Sequence, residues 1–120
     1  MKIMFLGVFT EGSTNNSQRD CLRDIGHEVD EFSYRSIRNF NKVLCTTKKD
    51  YDILLVSKGN GLSTYTTSMF RKNNNAKIVF WFMDPLSSFS GEFLEKTLNS
   101  DIAFFDKPKV LEFVKKYKNE

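Results

Sequence analysis

The chain has 120 residues, 40% of them apolar and 28% charged, with twelve Phe. That balance is neither disordered nor fibrous, and the length suits one domain with a single core. It excludes an enzyme that needs two domains around a cleft.

No apolar run approaches the about 18 residues of a membrane span. Met1-Lys2 leads straight into a strand-like stretch without a signal-peptide pattern, so a cytoplasmic protein with no membrane span is expected. The net charge is +3, and its placement matters more than its size. The last segment, 107–120, holds five Lys and two Glu, while the rest balances thirteen basic residues against thirteen acidic. Such a tail reads as a solvated helix face. Without an arginine stripe or interleaved aromatics, nucleic-acid binding is not expected. Cys21 and Cys45 lack CxxC spacing and read as free buried thiols in a reducing compartment. One histidine, His27, with no ligand cluster around it, argues against a metal site.

Strand-like and helix-like runs alternate along the chain. Lys2 to Phe9 (KIMFLGVF) is the first strand. A helix from Asn15 to Ile25 follows, with Ser13 or Thr14 as N-cap, Cys21, Leu22 and Ile25 as its apolar stripe, and Gly26 as a left-handed C-terminal stop. Glu28 to Tyr34 is a short, polar second strand. Ser36 opens a helix with Ile37, Phe40, Val43 and Leu44 on one face. Tyr51 to Ser57 (YDILLVS) is the third strand, and Ser63 caps a helix carrying Tyr65, Met69 and Phe70. Lys77 to Met83 (KIVFWFM) is the fourth strand, with Trp81 expected in the core. A helix with Phe93, Leu94 and Leu98 leads to a fifth strand, Asp101 to Phe105. Asp106 and Pro108 start a last helix on Val110, Leu111, Val114 and Tyr117.

Strands separated by helix-length segments imply right-handed crossovers and a parallel sheet with helices on both faces. A central parallel strand is buried on both sides and reads as continuously apolar. Strands one, three and four meet that test; the charged second strand (EVDEFSY) belongs at an edge. The predicted order is therefore 2-1-3-4-5, flavodoxin-like, in preference to the Rossmann order 3-2-1-4-5.

Ligands of open parallel sheets bind beyond the carboxyl ends of the strands, where the winding reverses. Three loops converge there. The first is 10–16, with Glu11, Gly12, Ser13, Thr14 and Asn15. The second is 58–63, with Lys58, Gly59, Asn60 and Gly61. The third is 84–88, opened by Asp84-Pro85. Hydroxyls, amides and flexible N–H groups beside helix N-termini suit a phosphate, a sugar or a carboxylate. The same residues also serve as ordinary turns and caps. Lys58 could hold an anion, with Gly59 and Gly61 letting backbone approach it. Asp84 could accept from ligand hydroxyls, act as a base, or cap the following turn. Neither a Walker A motif nor GxGxxG is present, and one His far from this edge cannot build a Ser-His-Asp set.

Three phrases in order, MKIMFLGVFTEGSTNNSQRDCLRDIGHEV, YDILLVSKGNGLS and AKIVFWFMDP, resemble the first domain of the spore-maturation CgeB-type glycosyltransferases, over about Met1 to Phe105. These have the GT-B architecture, two Rossmann-like domains facing across a cleft. The resemblance implies an acceptor-side domain binding a sugar-like, nucleotide-sugar-like or phosphorylated molecule. It implies no cofactor and no competent transferase without a second, donor-binding domain or chain. Glu11 and Asp84 are its only candidate catalytic carboxylates. A domain of this kind should expose its former interface, for which Leu62, Leu86 and Phe89 are the candidates. The size, the strand order and Asp106-Lys107-Pro108 also resemble a response-regulator receiver. Val56-Ser57-Lys58 lacks the phospho-acceptor, however, which leaves a pseudo-receiver interaction module. Flavin mononucleotide binding fits the first loop poorly.

Overall fold

The structure is a computed structural model that describes residues 1–118, with side chains to Lys116. The elements run β1 (Lys2–Gly7), α1 (Thr14–Asp24), β2 (Glu28–Ser33), α2 (Phe40–Thr46), β3 (Ile53–Ser57), α3 (Thr64–Asn74), β4 (Lys77–Phe82), a short turn Leu86–Ser88, α4 (Gly91–Asn99), β5 (Ile102–Phe105) and α5 (Pro108–Lys118). All strand pairs are parallel and the order is β2-β1-β3-β4-β5. The strand polarities select this order. The near-continuous apolar runs of β1, β3 and β4 are the ones buried on both faces, and the charged β2 lies at an edge.

The strands end earlier than their apolar runs, because Val8, Phe9 and Met83 turn out of the sheet to build the loops above it. Ser13 caps α1 by accepting from the Asn15 N–H, and Gly26 takes a left-handed φ of 100° beyond the helix end. The second helix departs from expectation. Ser36 forms a turn back to the Ser33 carbonyl, and Asn39 adopts a left-handed φ of 56°, so α2 begins only at Phe40.

The two faces of the sheet are covered unequally. The front core gathers Met4, Leu6, Leu54, Val56, Ile78, Phe80 and Phe82 beneath α2, α3 and α4, through Leu44, Phe70 and Phe93. Val110 of α5 joins this same cluster. The rear core is smaller, with Ile3, Phe5, Val29, Leu55 and Val79 buried and Phe9 and Leu22 packed against them. Among the described residues only α1 contributes a helix side chain to it, because right-handed crossovers place α1 behind and α2 to α4 in front, and Val110 of α5 packs in front.

That inequality accounts for the misplaced stripe of α1 and for Trp81. α1 is a polar helix resting on Leu22, so Cys21 and Ile25 are exposed; the expected pair of buried thiols is one exposed cysteine, Cys21, and one half-buried, Cys45. Val43, Tyr65, Leu98 and Leu111 also face outward. α3 and α4 bury small polar side chains instead, as in Thr66, Thr67 and Thr97, and the stem of Lys96. Trp81 is only half-buried, since it lies on the thinly covered rear face. Tyr117's side chain lies outside those described. No helix among the described residues is long and apolar enough to cross a membrane.

The turn after β3 is tight. Gly59 has φ 61°, and a Cβ there would meet Val56 Cγ1 at 2.7 Å. Gly12 has φ 81°, with nothing within 4 Å of such a Cβ. Both sites carry the left-handed penalty for an L-residue, roughly 1–2 kcal/mol, but only Gly59 adds a clash. Urea unfolding should therefore show Gly59→Ala losing clearly more stability than Gly12→Ala. Equal losses would mean that the turn relaxes freely.

Candidate functional site

The carboxyl ends of β1, β2, β3 and β4 surround a cleft of about 120 Å³, lined by Val8, Asn15, Tyr34, Arg35, Ser57, Lys58, Trp81, Met83 and Asp84. It sits where α1 and α3 diverge to opposite faces, the switch point of the sheet. Of the residues expected from sequence, Asn15, Lys58 and Asp84 meet here.

Asn15 forms the floor and is 5% exposed. Its Oδ1 accepts from the Val8 N–H at 2.8 Å, and its Nδ2 donates to Gln18 Oε1 at 2.8 Å and to Ser57 Oγ at 2.9 Å. Both amide protons are thereby used, so Asn15 organises the site and has no donor left for a ligand. Ser57 is itself buried, and because its oxygen accepts from Asn15, its O–H is free to donate into the cleft.

Lys58 and Asp84 are the charged pair of the cleft lining. The Lys58 backbone is left-handed, φ 64°, an uncommon state for a side chain of this size. Its N–H donates to the Trp81 carbonyl at 3.2 Å, and its Nζ lies 2.7 Å from Asp84 Oδ2, with both side chains a little over one-third exposed. At that exposure the pair contributes only about 0–1 kcal/mol to stability. The pair sets a charged donor beside a charged acceptor, the combination that complements hydroxyls, which both give and accept. Asp84 offsets Lys58, and Arg35 adds a positive charge at the rim.

The other expected residues have different tasks. Glu11 and Gly12 lie on an exposed turn; Thr14 opens α1 and is exposed, and none of the three walls the cleft. Ser13 is spent on capping and donates its hydroxyl to the Val8 carbonyl. Gly59 is buried against Val56, Leu6 and Leu62, so its freedom serves packing and not close approach of a ligand. Asn60 Oδ1 accepts from the Tyr34 hydroxyl at 3.4 Å. Leu62 is buried, and Leu86 and Phe89 pack onto the front core, so none of them is an exposed former interface. His27 lies at the opposite edge, 3.0 Å from the amino terminus. Among the described residues no group of three or more His, Cys, Asp or Glu could hold a metal ion.

Tyr34, Arg35 and Ser57 were not anticipated as site residues. The strand order carried the signal: β2 neighbours β1, so the residues that follow β2 must rise beside the β1 loop.

The lysine loop is held from both sides through the backbone of Gly61. Its N–H donates to Glu92 Oε1 of α4 at 2.5 Å, and its carbonyl accepts from Asn41 Nδ2 of α2 at 2.8 Å. Asn41 Oδ1 also accepts from the Ser63 N–H and the Thr66 hydroxyl. Glu92 is fixed by Lys96 Nζ at 2.7 Å, and that lysine is 5% exposed and lies over the Phe93 ring. The Lys96 bond, then the Gly61 N–H, hold the Glu92 carboxyl below its ordinary range. Burial pushes the Lys96 ammonium down, against the pull of Glu92.

Comparison with known proteins gives no match to a family model, a curated protein or a solved structure.

Two outcomes follow for the clamp. Glu92→Ala leaves a buried ammonium without its partner, so a loss of roughly 2 kcal/mol or more is expected, and Lys96→Met added to it should recover much of that loss. In pH titrations, the stabilisation that separates wild type from Glu92→Gln should be complete above the ordinary glutamate value near about 4.3. It should disappear as pH falls through the lower folded value, because protonating Glu92 removes the charge in both states. A pH-independent difference would show that the carboxylate charge has no part in the clamp.

Proposed function

We propose that this domain binds a small polyhydroxylated ligand, sugar-like and with or without an anionic group, in the cleft between Asn15, Arg35, Lys58 and Asp84. The observation that carries this reading is the Lys58–Asp84 pair at 2.7 Å, held at the switch point by a left-handed lysine. A non-glycine residue in that backbone state costs roughly 1–3 kcal/mol and persists only where its surroundings over-determine it, as the Gly61 clamp does here. The matched charges favour hydroxyls over a bare phosphate, and Arg35 supplies the place for a phosphate or carboxylate on the same ligand.

Within this reading the domain is a glycosyltransferase-like acceptor-side module, completed for catalysis by a second, donor-binding domain or chain. Glu11 stands outside the cleft and Asp84 is engaged by Lys58, so the chain on its own is assigned binding and not transfer. The rival reading, an interaction module on the same fold, draws on one observation, the thinly covered rear face with Ile102 and Phe104 half-exposed.

The test is a thermal-shift panel of sugars, sugar phosphates, nucleotide-sugars, free nucleotides and flavin mononucleotide. A ligand at one hundred times its Kd adds about 2.7 kcal/mol, a rise of roughly 10 °C for a domain of this size. A shift with a hydroxyl-rich ligand is expected. Lys58→Gly should abolish the shift while holding or raising the unliganded melting temperature, since glycine accepts the left-handed backbone freely. A flat panel, or binding that survives both Lys58→Gly and Asp84→Asn, would remove the cleft from consideration.

A further inference from the structure

The two edges of the sheet are built in opposite ways. β2 carries Glu28, Asp30 and Glu31, charges that deter a further strand. β5 reads Ile-Ala-Phe-Phe, with neither a charge nor a proline. Its rear-facing side chains, Ile102 and Phe104, are 50% and 53% exposed. The Asp101 N–H bonds the Ile78 carbonyl at 2.9 Å, which sets the alternation of the strand: 101 and 103 turn their backbone to β4, and 102 and 104 turn theirs outward. An apolar edge with outward N–H and C=O groups is a template for another strand.

We infer that β5 pairs antiparallel with β5 of a second copy of this chain, joining the two sheets into one. The register follows from the backbone. A two-fold axis beside Ala103 sets Ile102 opposite Phe104 of the second copy, both with outward amides and carbonyls, so the two residues exchange both of their hydrogen bonds, and the symmetry repeats the exchange. Both side chains stand on the rear face, where an aliphatic–aromatic cross-strand pair is favourable.

The same register brings opposite charges into line. Counting back from the Val79–Ile102 pair, Lys77 is level with position 100, and the two-fold relation sets position 100 opposite Asp106 of the second copy. Both positions flank β5, and the Asp106 N–H turns back to the Phe82 carbonyl at 3.4 Å, so they meet through side chains and not through the ladder. Lys77 shares the rear face with Val79 and Trp81, and Asp106 is rear-facing because its Oδ1 accepts from Trp81 Nε1 at 2.9 Å. Two strand spacings, about 10 Å, separate the two backbones, within reach of a lysine and an aspartate side chain. The axis produces this pairing twice, and it argues for a second copy over an unrelated strand. The rear groove of about 500 Å³ that runs from Ile53 to Phe104 then continues across the junction.

Edge pairing of this length buries less than the about 1,200 Å² of a standard interface, so a concentration-dependent equilibrium is expected. Analytical ultracentrifugation from about 5 to about 500 µM should show the 14.0 kDa monomer giving way to a species of twice that mass. A monomer throughout that range overturns the proposal. Phe104→Lys, at a half-exposed position, should be monomeric at every concentration; a dimer unaffected by it would place the interface elsewhere. Lys77→Glu should weaken the dimer about tenfold, and adding Asp106→Lys should restore it. Failure of the double substitution to restore it would overturn the antiparallel register.

Discussion

The amide of Asn15 is the constraint on which the upper edge of this molecule depends. At the switch point α1 leaves to one face and α3 to the other, which opens a gap between the ends of β1 and β3. Asn15 fills that gap, holding the backbone beyond β1 through Val8, the end of β3 through Ser57 and its own helix through Gln18. The approach is close: a Cβ on Gly7 would lie 2.7 Å from Asn15 Oδ1. A buried amide with every polar atom engaged is rigid, because any displacement leaves a donor or acceptor unpaired out of reach of water. The cleft above it therefore has a fixed floor.

The wall of the cleft is less favourable by itself. A lysine in the left-handed region, next to a glycine that is also left-handed, would relax in an isolated loop. Helices α2 and α4 prevent this by gripping Gly61, α4 at its N–H and α2 at its carbonyl. Glu92 can grip because Lys96 orients it, and Lys96 is held in turn against Phe93 at the margin of the front core. Packing of α4 is thus transmitted to Lys58 through one carboxylate and one peptide group. The arrangement is preorganised, because the loop's strain is met by folding.

The sheet order was legible because it rests on the strongest signal in the chain, the contrast between the continuous apolar runs of β1, β3 and β4 and the charged EVDEFS of β2. The two central lysine-loop and aspartate positions were legible for the same reason, as they follow directly from strands whose place was known. What could not be read were partners across space. Nothing local in the sequence distinguishes Gly59, needed for packing against Val56, from a glycine needed for a ligand. Asn15 looks like any helix-start amide until β3 is laid beside β1. The helix stripes failed where the core asks for little: α1 rests on a narrow rear face, so Cys21 and Ile25 have nothing to pack against. The start of α2 failed because Asn39 can take the left-handed state that most residues avoid, and does so one residue before Phe40.

The rear face follows from the same crossover rule that builds the cleft. One change of winding direction sends a single helix, α1, behind the sheet, and that helix lies over the β1 and β2 side. Coverage of β3, β4 and β5 from behind would then fall to the helix after the last strand. Val110 commits that helix to the front, fully buried among the aromatic side chains there. The consequence is a half-open rear surface that ends at an uncharged edge, on the same molecule that guards its other edge with three carboxylates. Aqueous solvent penalises exposed apolar surface without regard to which segment covers it. The topology that opens a cleft at one end of the sheet therefore also leaves, on its flank, an apolar surface without a cover.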